Sequence, residues 1–308
     1  MVWTKPSDLP RFPKESIVRT SVDFSTLSQE DARFFLRRFL LEVYQRRAAK
    51  LRAPSSIFTE LQTELLSPEP EVEKLVTLIH TDQDIDQRLR KLANSAYYSG
   101  LSPVKSTRSA LLRIGLIEFQ KVFITEEIRR MFVATDIRLR QSARRLWENS
   151  LRCANLMEKL SKISANIEIF PGAAYSAGLI HDIGALYGLA SVDYLRSSRT
   201  ITEFPSQELI DDAVMFLHCE RGEQLLRDWR FNIVYQDAAR HHENDEKIYS
   251  EQVQNRQSID ILRLLTLSLS LLGNNRQRPK PLRECIHLPA FEQLGIRLEK
   301  LPEVFRQV

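Results

Sequence analysis

Glycine is scarce in this 308-residue chain, with nine residues in all. That is too few for an all-β chain or for one organised around Gly-rich nucleotide loops. Cysteine is scarcer still. Cys153, Cys219 and Cys285 are widely spaced, form no CxxC pair and leave an odd thiol, which argues against a disulfide-built secreted fold and for a reducing, cytoplasmic home. No uninterrupted apolar run approaches the roughly 20 residues of a membrane helix. The opening stretch, MVWTKPSDLPRFPKES, contains no apolar signal-peptide core. Neither sign of charge dominates: 44 basic against 40 acidic residues give a net +4, too mild an excess to call for nucleic acid or anionic lipid. Internal repeats and low-complexity segments are also missing. A soluble, cytoplasmic protein with no membrane partner is the expectation.

What the chain does contain is long stretches of Leu, Arg, Glu, Gln and Ala with apolar residues at 3- and 4-residue spacing. This pattern predicts an all-α, multi-helix bundle. Residues 1–50 read as a proline-punctuated arm followed by a helix from about Gln29. Its apolar face, including Phe35, Leu36, Phe39, Leu40 and Val43, is too wide to stand in water and must dock on the next domain or on a second chain. Residues 51–273 read as the main domain. Helices are expected near 55–66, 70–80, 84–98, 137–163, 171–187, 207–228, 233–243 and 257–272, with Gly115 at a helix junction. Residues 274–308 carry several prolines and read as a tail with at most a short helix.

Four of the six histidines, His181, His218, His241 and His242, fall within residues 181–242, and the first precedes Asp182 in GLIHDIG. Neutral imidazoles and a carboxylate form a ligand set for Zn, Fe, Mn or Ni. Within one helix His181 and Asp182 would point about 100° apart and could grip an ion from two directions. Adjacent His-Asp and His-His pairs also arise by chance, and a half-buried histidine bonded to a backbone carbonyl is commoner than a ligand. From spacing alone both readings stand.

Three ordered blocks carry a more specific signal. DIDQRLRKLANSAYYSGLSPVKSTRSALLRIGL, SAGLIHDIGALYGL and LHCERGEQLLRDWRFNIVYQDAARHHEN together resemble the HDOD family, relatives of the HD and HD-GYP phosphohydrolases, over roughly residues 51–270. In the wider superfamily an earlier histidine, the HD pair, further histidines and a late aspartate build a metal site. The resemblance places Asn149 at the first histidine and Thr266 at the late aspartate, and Ala185 where catalytic relatives often carry lysine. HHEN is followed by DEKIYS in place of a DGxGYP stretch. Asn and Thr are poor substitutes for an imidazole nitrogen and an anionic oxygen, and losing the lysine removes a charge that could hold a substrate phosphate. One metal position would keep only His181 and Asp182. The other would keep Asp182, His218, His241 and His242. The resemblance therefore implies a degenerate metal site, compatible with at most one divalent transition metal, or a buried hydrogen-bonded cluster pinning three helices.

A bacterial signal-transduction role through protein–protein contacts is implied in turn, linked in this family to cyclic dinucleotides and to control of motility, biofilm or virulence. No catalytic residue is expected. The alternative is a metal-dependent phosphohydrolase acting on nucleotides or cyclic dinucleotides. Helix-in-groove binding through the N-terminal helix is one candidate contact, and a homodimer stays open. The arginine run Arg129, Arg130, Arg138, Arg140, Arg144 and Arg145 reads as a solvated helix surface rather than a nucleic-acid face. The loop around Ser99–Ser106 is too long for a helix-turn-helix. Asn94, Ser95, Tyr97 and Tyr98 close the first block, as a partner groove or as plain turn chemistry.

Overall fold

The computed structural model of the protein describes residues 22–49, 51–98, 100, 102–131, 136–273 and 278–305. Most of the expected proline-rich arm lies outside them. The fold is all-α, as the periodicity predicts. Helix starts coincide with side chains able to accept from exposed N–H groups. Ser28 caps α1 (Gln29–Gln45), Ser55 caps α2 (Ser56–Glu64) and Asp82 caps α4 (Gln83–Ala93), which follows α3 (Val72–His80). Ser106 opens α5 (Thr107–Ile114), and Gly115, at φ 84°, turns the chain directly into α6 (Leu116–Arg129). That left-handed backbone suits glycine.

Asp136 caps the long α7 (Ile137–Ile163), whose stripe of Ala143, Leu146, Ser150, Ala154, Met157 and Leu160 is buried. α8 (Pro171–Ile180) is buried on every side and forms the centre of the bundle. It is flanked by α7, α6 and α11 (Ile233–His241), while α9 (Ile183–Ser197) and α10 (Gln207–Asp228) pack closely on each other. Small residues permit this. A Cβ on Gly178 would lie 2.7 Å from the Ala154 Cα of α7. α12 (Glu246–Gln252) and α13 (Arg256–Leu272) follow, α13 lying against α7 and α11.

Three expectations are corrected. The helix expected over 171–187 is two helices, broken at His181 and Asp182, and the second runs on to Ser197. Residues after 273 are not a tail. Among those described, α14 (Leu282–Cys285), α15 (Pro289–Gln293) and α16 (Leu301–Phe305) fold back on α7 and α13, burying Cys285, Leu294 and Leu301, and Ile296 bridges to Ser164. The apolar face of α1 is already used. Leu36, Phe39, Leu40 and Val43 are buried against α9 and α10, and Arg37 bonds Asp212 at 2.9 Å. That face is therefore not free to enter a partner's groove, although docking on the main domain was one of the two outcomes expected. The short strand β1 (Val22–Asp23) pairs in parallel with β2 (Ile201–Glu203) and ties the same region down. No described helix is long and apolar enough to cross a membrane.

Candidate metal centre

The helix break builds the centre. His181 is the C-cap of α8, and Asp182 occupies the N-cap position of α9 with φ −95° and ψ 17°. A carboxylate at that position normally accepts from the first N–H groups of its helix. Asp182 makes no such bond. Its side chain turns instead toward three buried histidines. Oδ2 lies 3.3 Å from His181 Nε2, and Oδ1 lies 3.3 Å from His218 Nε2 and 3.2 Å from His242 Nε2. The two latter nitrogens are 3.0 Å apart. Gly184 makes the approach possible, because its missing Cβ would sit 1.9 Å from the His218 carbonyl oxygen.

Each ring is fixed from behind. His181 Nδ1 donates to Gly178 O at 2.8 Å, His218 Nδ1 to Met215 O at 2.6 Å, and His242 Nδ1 to Ala239 O at 3.1 Å. A carbonyl oxygen only accepts, so in each neutral ring Nδ1 carries the proton and Nε2 turns a lone pair into the cluster. Two lone pairs, on His218 and His242, thus converge on Asp182 Oδ1, while His181, whose imidazole the carboxylate makes more basic, faces Oδ2. Asp182 Oδ1 is buried without a hydrogen-bond partner. Leaving such an atom unsatisfied is costly, and a cation removes the cost. The donor set therefore fits a divalent metal, held by Asp182, His218 and His242, which would supply the missing positive charge.

The electrostatics agree in direction. Burial opposes charge on Asp182, but the surrounding imidazoles, His181 first, hold its carboxyl well below the usual range. Burial pushes the His218 imidazole down to about 4, against the pull of Asp182, and so keeps it neutral. For His181 burial is outweighed by Asp182, and the imidazole is raised.

His241 does not join the group. Its Nδ1 accepts from Asn244 Nδ2 at 3.0 Å, which fixes the opposite tautomer, and burial together with Arg240 lowers its basicity. Spacing paired the two adjacent histidines, but only His242 turns inward. Two residues that the sequence reading passed over stand closer. Cys219 Sγ is 3.4 Å from His218 Nε2, and Glu243 Oε1 is 3.7 Å from it. Adjacency to His218 and His242 was their only signal.

Asn149 does reach the site. With Arg152, Cys153, His181, Asp182, Leu269, Leu272 and Gly273 it lines a space of only about 10 Å³ beside the HD pair. Thr266 stands beside Tyr249 on α12, and it is Leu269 and Leu272 of α13, with Gly273 at its C-cap, that line the space beside the HD pair. Among the arginines of the basic run, Arg130, Arg138, Arg144 and Arg145 are each within 3.2 Å of a carboxylate, on Glu127, Asp136, Glu148 and Asp211. Four of the six arginines of the run are thus paired.

A helical bundle whose buried His-Asp pair sits at a helix break, met by histidines from two further helices, defines an HD-like protein. A family model described as the HDOD domain matches residues 51–245, well over half of the chain, and the chain belongs to that family. Among solved structures it is similar to an HDOD domain protein of unknown function from Geobacter sulfurreducens, at 19% identity and a TM-score of 0.58, covering 91% of this chain and 94% of that one. It is also similar to a protein from Shewanella amazonensis SB2B carrying the provisional name metal-dependent phosphohydrolase, at 20% identity and a TM-score of 0.54, covering 89% and 98%. At these identities the likeness concerns the fold. A curated relative, an uncharacterised protein of Treponema pallidum (strain Nichols), is 24% identical over 197 residues, 62% of this chain but 37% of that protein's length.

Proposed function

We propose that this chain is a non-catalytic bacterial signal-transduction protein whose His-Asp cluster locks its helices together and whose output is contact with another protein. The observation that carries this reading is the closure of the cluster. The 10 Å³ beside His181 and Asp182 is about what one water needs, against the roughly 300–1,000 Å³ of a small-molecule pocket. A cyclic dinucleotide has no room there. Asn149 in place of an imidazole, and leucines where α13 faces the pair, support the same conclusion.

A contact surface is supported at the end of the first family block. Asn94 clamps Val104, accepting from its N–H at 2.9 Å and donating to its carbonyl at 3.0 Å. Tyr98 donates to Glu118 at 3.0 Å. Tyr97, edge-on to Tyr98, stands beside this clamp with 86% of its surface exposed. Exposed aromatics on rigid frames are typical anchors for partner proteins. Affinity capture with the wild-type chain and with Tyr97→Ala tests the reading. A specific partner recovered with the first and lost with the second is expected; an equal recovery with both removes Tyr97 from the contact.

A phosphohydrolase is the second reading, favoured by the converging lone pairs around Asp182. It requires the cluster to open. Turnover of nucleotides or cyclic dinucleotides by the metal-loaded chain, abolished in Asp182→Asn, would replace the regulatory reading.

A further inference from the structure

We propose that the cleft between α7 and α10, over Leu189 of α9, is a second site on this chain, built for a small ligand that joins a cationic ammonium group to an apolar body. The inference is separate from the His-Asp cluster and does not rest on how that cluster is read. The cleft holds about 620 Å³, inside the roughly 300–1,000 Å³ of small-molecule pockets and far above the 10 Å³ beside the HD pair. Its apolar lining is Leu146 of α7, Leu189, and Val214 and Met215 of α10, all buried. Its polar wall sets Ser142 and Arg145 of α7 against Gln207, Glu208, Asp211 and Asp212 of α10. Met215 also supports the cluster, since its carbonyl accepts from His218 Nδ1 at 2.6 Å. An occupant of the cleft therefore sits on the turn of α10 that orients that ring.

Ser142 organises the wall. Its buried hydroxyl donates to Asp211 Oδ1 at 2.8 Å and accepts from Gln207 Nε2 at 2.6 Å and from Arg145 Nη2 at 3.0 Å. One donor and two lone pairs are all a hydroxyl has, so Ser142 is saturated and fixes the three longer side chains around it. Arg145 Nη2 also meets Asp211 Oδ2 at 2.6 Å, and Gln207 Nε2 meets Asp211 Oδ1 at 2.9 Å. Side chains locked in this way lose little further freedom when a ligand arrives. Charge then selects the ligand. Three carboxylates face one guanidinium, which is already bonded to Asp211. Asp212 is held by Arg33 and Arg37, at 3.2 and 2.9 Å. Glu208, on the exposed rim, has no hydrogen bond or ion pair among the described residues. A phosphate or carboxylate would meet an excess of its own sign here. An ammonium, with three donors and no acceptor, matches Glu208, Asp211 and the Gln207 amide oxygen. Among the described residues, donor groups close enough to share a metal ion lie around His218 and His242 and not here, so the cation is an organic one.

Titration calorimetry of the full chain with phenethylamine tests this, with 2-phenylethanol and phenylacetate as the neutral and anionic counterparts. The amine should bind one equivalent with a Kd of about 0.1–1 mM, the range for a ligand of about nine non-hydrogen atoms. The alcohol should bind at least about 10-fold more weakly and phenylacetate not at all. Glu208→Gln and Asp211→Asn should each weaken the amine by about 10-fold, the loss of one charge-assisted hydrogen bond. Asp211→Asn also loosens the Ser142 wall, whereas Glu208→Gln removes no contact that holds the fold, so the two variants separate binding from folding. Glu203→Gln should change nothing, because Glu203 lines the neighbouring groove beside Phe204 and Leu209 and not the cleft. Equal affinity for amine and alcohol, or amine binding unaltered by Glu208→Gln, overturns the charge assignment. Dependence on Glu203 in place of Asp211 overturns the cleft as the site. No binding of the amine up to about 10 mM, beyond the weakest affinity expected, overturns the proposal as a whole.

Discussion

Replacing Gly184 with alanine should destabilise the protein and scatter the cluster, although glycine-to-alanine inside a helix ordinarily gains about 0.5–1 kcal/mol. The added Cβ would meet the His218 carbonyl oxygen at 1.9 Å, the Gly222 nitrogen at 2.5 Å and the His218 carbonyl carbon at 2.8 Å. All three are backbone atoms of α10, so no side chain can swing aside. An ordinary C···O contact is about 3.3 Å, and reaching it requires α9 to retreat by about 1.4 Å. Metal and catalytic constellations tolerate displacements of about 0.5 Å, so Asp182, two residues before Gly184, loses its register with His218 and His242. Overpacking of this kind costs about 1–3 kcal/mol. With a urea slope near 3 kcal/mol/M, a loss of 2 kcal/mol lowers the unfolding midpoint by about 0.7 M. Gly188→Ala, one turn on in the same helix, is the control. Its Cβ would meet the Val214 side chain at 3.0–3.3 Å, with no backbone atom among its three nearest neighbours, and its midpoint should move less. If Gly184→Ala unfolds at the wild-type midpoint or above it, the close backbone packing of α9 on α10 is wrong, and the cluster geometry with it.

The C-terminal segment gives a second test. Leu294→Ala should cost about 2–5 kcal/mol, because Leu294 is fully buried, and calorimetry on the full chain reads it. A free tail would give no change. Asn94→Ala removes both bonds that clamp Val104 and should cost about 1–3 kcal/mol, with faster hydrogen exchange at the Val104 amide. A pH effect comes from Tyr98, whose phenol is pushed up to about 12 by burial and by the neighbouring Glu118. Its neutral form is favoured in the folded state, so this contribution is complete below pH 10 and is lost as pH rises from 10 toward 12. Several phenols are pushed up in this fold, Tyr235 and Tyr249 among them, so ultraviolet titration of tyrosinate should show a late group of which Glu118→Gln brings one phenol earlier; an unchanged curve would contradict the assignment.

Much of the frame was legible because amphipathic periodicity and capping residues act locally. α7 and α10 begin and end where the Asp136 and Ser206 caps and the apolar stripes place them, and Gly115 marks its junction. The break at His181 was hidden by burial. α8 and the start of α9 are apolar all round, so the pattern runs through the HD pair without a phase change, and what ends the helix is the turn of Asp182 toward residues 36 and 60 positions away. The C-terminal helices are four or five residues long, too short to show periodicity, and they exist because Cys285, Leu294 and Leu301 find a hydrophobic surface that only the folded bundle offers. At the cluster, residue type and order named His181, Asp182, His218 and His242. They could not decide which of His241 and His242 turns inward, because neighbours on a helix point about 100° apart.

The measurement that bears most directly on the central claim joins turnover to stability in one preparation. The chain, loaded in turn with Zn²⁺, Mn²⁺, Fe²⁺ and Ni²⁺, is assayed against nucleoside phosphates and cyclic dinucleotides, and its thermal midpoint is recorded before and after chelation. A closed cluster that pins helices predicts no hydrolysis above the protein-free rate and a lower midpoint once metal is removed. Hydrolysis that depends on metal and disappears in Asp182→Asn, with no change in midpoint on chelation, would make the cluster an active site and contradict the account.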